Sequence, residues 1–457
     1  MSRLSPAFTA LLCITAAVIY FLPPPAGATA VTMHAAALIL LTAGLWALGA
    51  LPEHVTALVF FLLAVILGIA APQVVFSGFA SATMWLVLGG LFVAEAVRST
   101  GLGRRFAGVL FGRFTRTYMG LVAEVAIAAT ALAIFMPATV GRILLMVPIV
   151  AALAERVGFK RGSNGFNGLC IIAIMVSYHS GSGILPANAP NLVLAGAAEA
   201  LYDSHFIYAE WMWVMFPVLC LLKGVVAVAL TCWLFPDRMA PHQAETAAAP
   251  MSAAERRLAW ILAIAVVLWA TDFLHGIRAG WIALAAAVAC LLPRIGMLSV
   301  DAFNDVRFGS FFYVGAAIGV GAVANETGLG ELLGRLLQNS LNIQPGADFA
   351  NFMVLSLFAT VVGLITTNPA QPAVVAPLAG QFAEAAGWPL HAALMTSAVG
   401  FTVMVLPYQV PPVVVGIRAA GISLSTVMRL GWPLLAISVV VLLPLDYLWW
   451  RVIGYFH

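Results

Sequence analysis

The stretch Thr366-Thr367-Asn368-Pro369-Ala370-Gln371-Pro372 lies between two apolar runs, residues 352–365 and 373–383. Neither run reaches the roughly 20 apolar residues that a helix needs to cross a bilayer. Two short apolar arms joined by a polar, proline-interrupted tip describe a re-entrant hairpin. Broken backbone at membrane depth is tolerated only where protein buries it or a watery cavity meets it. The tip is therefore a candidate binding element. The figure occurs twice: Ala138-Thr139-Val140 lies ten residues before Pro148, as Thr367-Asn368-Pro369 lies ten before Pro377. Broken segments at matching places in two halves are the sequence mark of a carrier's site.

The class follows from composition. Of 457 residues, 63% are hydrophobic and only 9% charged, more apolar surface than a soluble domain of this length can bury. The chain reads as an all-α polytopic membrane protein. Apolar spans fall near 6–22, 33–50, 54–71, 81–98, 167–203 (interrupted), 209–235, 258–274, 279–293, 309–326, 389–424 (interrupted) and 430–450, which makes about 11 crossings. Two hairpins, 118–155 and 348–386, and two amphipathic stretches, Arg98 to Arg116 and 327–340, complete the chain. Residues 1–32 read as a first transmembrane helix; the competing reading is a signal-like segment cleaved near PPPAGATA. The five cysteines lie in apolar segments without metal-ligand spacing and read as small buried hydrophobes.

Charge placement tests this scheme. With a cytoplasmic N-terminus, sixteen of the 21 Lys and Arg residues fall inside, among them Arg3, Arg113, Arg116, Arg256 and Arg257. Only Arg278, Arg335 and Arg451 fall outside, while Arg142 and Lys223 stay within spans. That asymmetry is what the positive-inside rule expects. A polar linker at 236–257 separates two related halves, 33–235 and 258–457. WLVLGGLFVAEAVRSTGLG from Trp85 answers FYVGAAIGVGAVANETGLG from Phe312, and Trp46-Ala47 answers Trp269-Ala270. Five crossings per half is an odd number, so the second half is inverted. Hairpin 118–155 then opens to the cytoplasm and 348–386 to the outside.

These residues resemble the divalent anion:sodium symporters, a family of di- and tricarboxylate and sulfate transporters. The family's early W-x-T-E-A-x-P-x-x-V-T-A appears as Trp46 to Ala57, with Gly49 in place of the glutamate. Its Ser-Asn-Thr tips, one of them extended to P-S-N-T-A-R, become Pro137-Ala138-Thr139-Val140-Gly141-Arg142 and Thr367-Asn368-Pro369. Its G-T-P-P-N breaks fall at Ala187–Asn191 and Gln409–Val413. The resemblance implies an inverted-repeat elevator-type transporter in a cell membrane (a bacterial inner membrane), working as a homodimer. It also implies sodium-coupled movement of a small anion, with sodium-independent exchange, or another permease of the wider ion-transporter superfamily, as the alternative. A channel or a membrane-embedded enzyme is the competing class. No HExxH, nucleophile elbow, P-loop or base-reading pattern is present, so neither an enzyme nor a nucleic-acid partner is expected.

An anion crossing a membrane must exchange water for donors that hold it loosely, namely hydroxyls, amides and the positive ends of half-helices. Thr139, Asn188, Asn191, Thr367, Asn368 and Gln371 form such a set at the expected breaks. Thr366, Thr367 and Asn368 supply the oxygens that a sodium ion would need beside the second tip. Arg142, a charge inside a membrane segment, is the sharpest single candidate. It could hold a carboxylate with two prongs, replace a cation near the first tip, or bond backbone carbonyls. Glu124 lies roughly 20 Å down the arm by helical rise and is not its expected partner. Glu95 reads as a helix–helix bond or a coupling group, and His179, before a break at Ser180–Gly183, as structural or gating. Lys223 receives no role. Trp211, Trp213, Trp449 and Trp450 read as interfacial anchors, and Asp272 and His275 as solvated.

Overall fold

The computed structural model describes residues 4–110, 117–239, 250–299 and 301–456, and among these the regular structure is helical throughout, with no strand. Arg3, Arg113, Arg116 and much of the linker lie outside the described residues. Each of the eleven expected spans has a helix or a broken pair of helices. The chain punctuates them as expected. Thr117 and Ser163 accept hydrogen bonds from the backbone N–H groups of Gly120 and Phe166, and Ser252 forms a capping box with Glu255. Gly49 and Gly101 close helices in the left-handed region, where a side chain would be strained.

Six helices are long and apolar enough to cross a membrane by length and composition, and they include Tyr118–Phe135 and Asp348–Ile365, the first arms of both expected hairpins. Both arms stop at the tips, where Met136-Pro137-Ala138 and Thr366–Ala370 leave the helix. The broken helices are Asn164–Ser182 with Ala189–Tyr202, and Leu390–Thr402 with Pro411–Ala420. The first break begins one turn later than the sequence suggests. Ser180 to Ser182 remain helical, because glycine and serine permit a break without forcing one. Pro190 and Pro411 each sit in the first turn of a second half-helix, where the missing N–H costs nothing.

The two halves repeat each other in their contacts. Ala82–Thr100 packs on Ala279–Leu291, and its counterpart Gly309–Glu326 packs on Glu53–Ile66. A Cβ on Gly89 would stand 2.5 Å from Ala283 O, so the first of these pairs has backbones in direct contact. The Trp46 indole donates to Glu53 O, and the Trp269 indole to Ala279 O, both at 3.1 Å. Each acceptor is the first residue of the helix that begins the following span, Glu53–Ile66 or Ala279–Leu291. The long helices Tyr208–Leu234 and Leu424–Val452 each contain a π-helical segment, Pro217–Leu222 and Ser438–Leu442.

Several sequence readings are corrected. Asp272 is buried, and its carboxylate accepts from the N–H groups of Tyr208 and Ala209, capping that helix. His275 is half-buried against Leu268 O. Glu95 bonds Arg98 one turn along its own helix, at 2.5 and 2.8 Å, rather than another helix. Trp211 and Trp450 are fully buried; Trp213 is exposed, and Trp449 donates to Trp213 O. Among the cysteines, Cys13 is exposed and Cys232 half-buried.

Candidate functional site

Both tips and both breaks converge. The first tip is organised by Arg142, one turn into Thr139–Arg156 and wholly buried. One terminal nitrogen donates to Met136 O and to Ala187 O (2.9 Å). The other donates to Thr139 Oγ1 (3.0 Å) and Ser177 O (2.9 Å). Three carbonyls and a hydroxyl thus surround the guanidinium, and only Nε lacks a partner. A two-pronged carboxylate grip needs two free N–H groups, and this arrangement leaves one. Thr139 Oγ1 donates to Ala187 O at 3.1 Å and lies 3.3 Å from Asn188 Oδ1. Gly181 makes room for the guanidinium: a Cβ there would stand 2.5 Å from an Arg142 terminal nitrogen.

The rest of the first break is tied by amides. Asn191 Nδ2 donates to Gly181 O and Ile184 O at 2.9 Å, tying together carbonyls on either side of the helix end. Asn188 Nδ2 donates to Ser182 Oγ at 3.2 Å, and the Trp211 indole donates to Ser182 O at 3.0 Å. Asn191 Oδ1 and both ring nitrogens of His179 are buried without partners.

At the second tip, Asn368 bridges both broken helices. Its Nδ2 donates to Tyr178 Oη and to Phe401 O, both at 2.7 Å, and its Oδ1 accepts from Gln409 Nε2 at 3.2 Å. Gln409 Oε1 in turn accepts from the N–H groups of Val405 and Leu406. Gln371 and Ser397 exchange hydrogen bonds at 3.0 and 3.2 Å. Thr366 Oγ1 turns back onto its own helix at Val362 O. Of the sodium oxygens read from sequence, Thr367 O accepts from the Ala370 and Gln371 N–H groups, and Asn368 Oδ1 from Gln409. The nearby Lys223 is buried and donates to Thr402 O at 2.6 Å, at the end of a half-helix.

Every residue expected at the site is therefore buried at a tip or a break. Thr139, Arg142 and Asn188 bond as one group; Asn191 braces the same break, and Asn368 joins the second tip to both breaks. Gln371 faces Ser397. Sequence reasoning missed Tyr178, Ser177, Gln409 and Lys223. Gln409 lay within a recognised break, and Lys223 within an apolar run, where a lysine is itself a signal; Tyr178 and Ser177 carried none. Among the described residues no cluster of His, Cys, Asp and Glu could hold a metal ion.

Comparison with known proteins agrees with this architecture. A model of the sodium:sulfate symporter transmembrane region matches residues 5–456. A "Membrane protein" of Cupriavidus necator is 25% identical over 393 residues, covering 83% of this chain and 76% of the relative. The L-tartrate/succinate antiporter of Escherichia coli K12 is 24% identical over 405 residues, covering 82% and 80%. That of Shigella dysenteriae is 24% identical over 401 residues, with the same coverage. Repeated helix contacts, paired tips and a buried polar centre fit a carrier. With the family model spanning nearly its whole length, the chain belongs to the sodium:sulfate symporter family, and it is a multi-pass membrane transporter of small anions, not an enzyme.

Proposed function

We propose that this transporter exchanges small dicarboxylates of the tartrate and succinate type across a bacterial inner membrane, without sodium. One observation carries the reading. The oxygens gathered between the first tip and the first broken helix, Met136 O, Thr139 Oγ1, Ser177 O and Ala187 O, would suit a hard monovalent cation, and they are instead donated to by Arg142. A guanidinium is permanently charged and cannot leave with the substrate. The antiporter names of two relatives agree with exchange. Sodium-coupled uptake, which the family's description favours, is the second reading.

The motion consistent with this is an elevator. The hairpins 118–155 and 348–386, entering from opposite sides, would move with the broken helices against a dimeric scaffold built from spans near 33–98 and 258–326. The test is uptake of labelled succinate into proteoliposomes, with or without internal succinate and across sodium concentrations, for wild type, Arg142→Lys and Arg142→Ala. Exchange that ignores sodium, poorer affinity in Arg142→Lys and no transport in Arg142→Ala are the expected results. Steep sodium dependence in the wild type, with Arg142→Ala near normal, would return the arginine to a structural role.

A further inference from the structure

Lys223 has no assigned role, and its surroundings give it one. It is fully buried, and its Nζ donates to Thr402 O, the last carbonyl of Leu390–Thr402. A helix C-terminus attracts a cation, and here the cation is a side chain from the other repeat. Arg142 likewise donates to a carbonyl at the other break, Ala187 O at 2.9 Å. Each break thus carries one covalently attached positive charge. Cys220, three residues before Lys223, has its Sγ 3.7 Å from Ser180 O, on the helix whose Ser177 O accepts from Arg142. Among the described residues no carboxylate pairs with either.

The fold itself does not demand this lysine. Lys223 directly follows the π-helical segment Pro217–Leu222, and in the second repeat the residue directly following Ser438–Leu442 is Leu443, equally buried. The same architecture is therefore built once with an ammonium and once with a leucine. A buried charge retained where a leucine serves is expensive and needs a compensating partner. Arg142 Nε and both nitrogens of neighbouring His179 are also unpartnered. Unspent donors and two unpaired cations in one buried centre describe a receptor for a double negative charge.

We propose that Lys223 is the second fixed countercharge of the site and the residue that selects dianions over monoanions. This rests on the sodium-free reading of Arg142 and extends it. With a dicarboxylate bound, the two cations and two carboxylates cancel and the transporting block carries no net charge at its centre. Empty, it would carry two uncompensated charges past the apolar scaffold, which the low dielectric opposes. Return without cargo is blocked, and transport is strict one-for-one exchange.

The test compares wild type, Lys223→Met and Lys223→Arg in proteoliposomes loaded with succinate or empty, using labelled succinate outside and butyrate as the monocarboxylate competitor. In Lys223→Met the apparent KM for succinate should rise at least tenfold, the preference over butyrate should shrink, and net uptake into empty vesicles should appear. Lys223→Arg should restore the preference. Lys223→Met with unchanged KM, preference and strict exchange would leave Lys223 as a helix cap and overturn the proposal. Sodium-driven net uptake by the wild type would instead overturn the exchange reading beneath it. If Lys223→Met does not fold, thermal melting of the detergent-solubilised wild type decides. Succinate should raise Tm more than butyrate, and sodium chloride no more than choline chloride; stabilisation by sodium alone would overturn the two-cation site.

Discussion

Asn368→Ala isolates the brace between the second tip and the two broken helices. The substitution keeps the backbone bond from Asn368 N to Gln409 O and removes three side-chain bonds. Their loss is unequal. Tyr178 Oη still donates to Phe401 O, so those two groups keep each other. Gln409 Nε2 loses its acceptor inside the protein. An orphaned buried donor costs about 1–3 kcal/mol, and each ordinary bond lost about 1 kcal/mol net. The sum is about 3–5 kcal/mol at a point that holds tip and breaks together. At about 1.4 kcal/mol per decade, even half of it appearing in substrate binding weakens affinity by about tenfold or more. Asn325, exposed in the last turn of Gly309–Glu326, is the control, and its alanine variant should stay within about 0.5 kcal/mol of wild type. The assay is exchange of labelled succinate against rising external succinate, paired with thermal melting of the solubilised protein. Equal effects at the two asparagines, or an unchanged KM in Asn368→Ala, would remove the second tip from substrate binding.

Three further outcomes are expected. Gly181→Ala should reduce exchange at least tenfold, because its Cβ displaces the Arg142 guanidinium, whereas Gly224→Ala, which meets nothing within 4 Å, should not; transport assays on both decide this. Trp46→Phe and Trp269→Phe each remove one indole hydrogen bond at a repeat-related position and should each cost about 1 kcal/mol. The double variant should be additive within about 0.5 kcal/mol in thermal melting, since the two bonds share no partner. Glu255, on the linker side of the span that begins near 258, is held at about 2 by Arg105 (2.7 Å) and by the Ser252 N–H. A depressed carboxylate stabilises the fold above its ordinary value of 4.5 and loses that contribution as pH falls toward 2. The melting difference between wild type and Arg105→Met should therefore be full at neutral pH and fade below about 4.5.

The sequence alone settled the class, the punctuation and the places where the chain breaks. Apolar runs, Pro190, Pro411 and the polar tips act locally, through hydrophobic length and missing N–H groups, so Gly309–Glu326 could be read to the residue. The repeat was legible as well, since Trp46 and Trp269 mark the same turn twice. Helices that end in glycine and serine were less legible. Nothing local in Ser180–Gly183 fixes which residue leaves the helix; the Asn191 and Trp211 donors meeting the Gly181 and Ser182 carbonyls do. What Arg142 and Lys223 do was decided only by the tertiary structure. Lys223 meets Thr402 across 179 residues, and Arg142 meets Ala187 across 45. A buried cation must be satisfied by whatever oxygens packing brings to it, and the chain's own order does not say which those are.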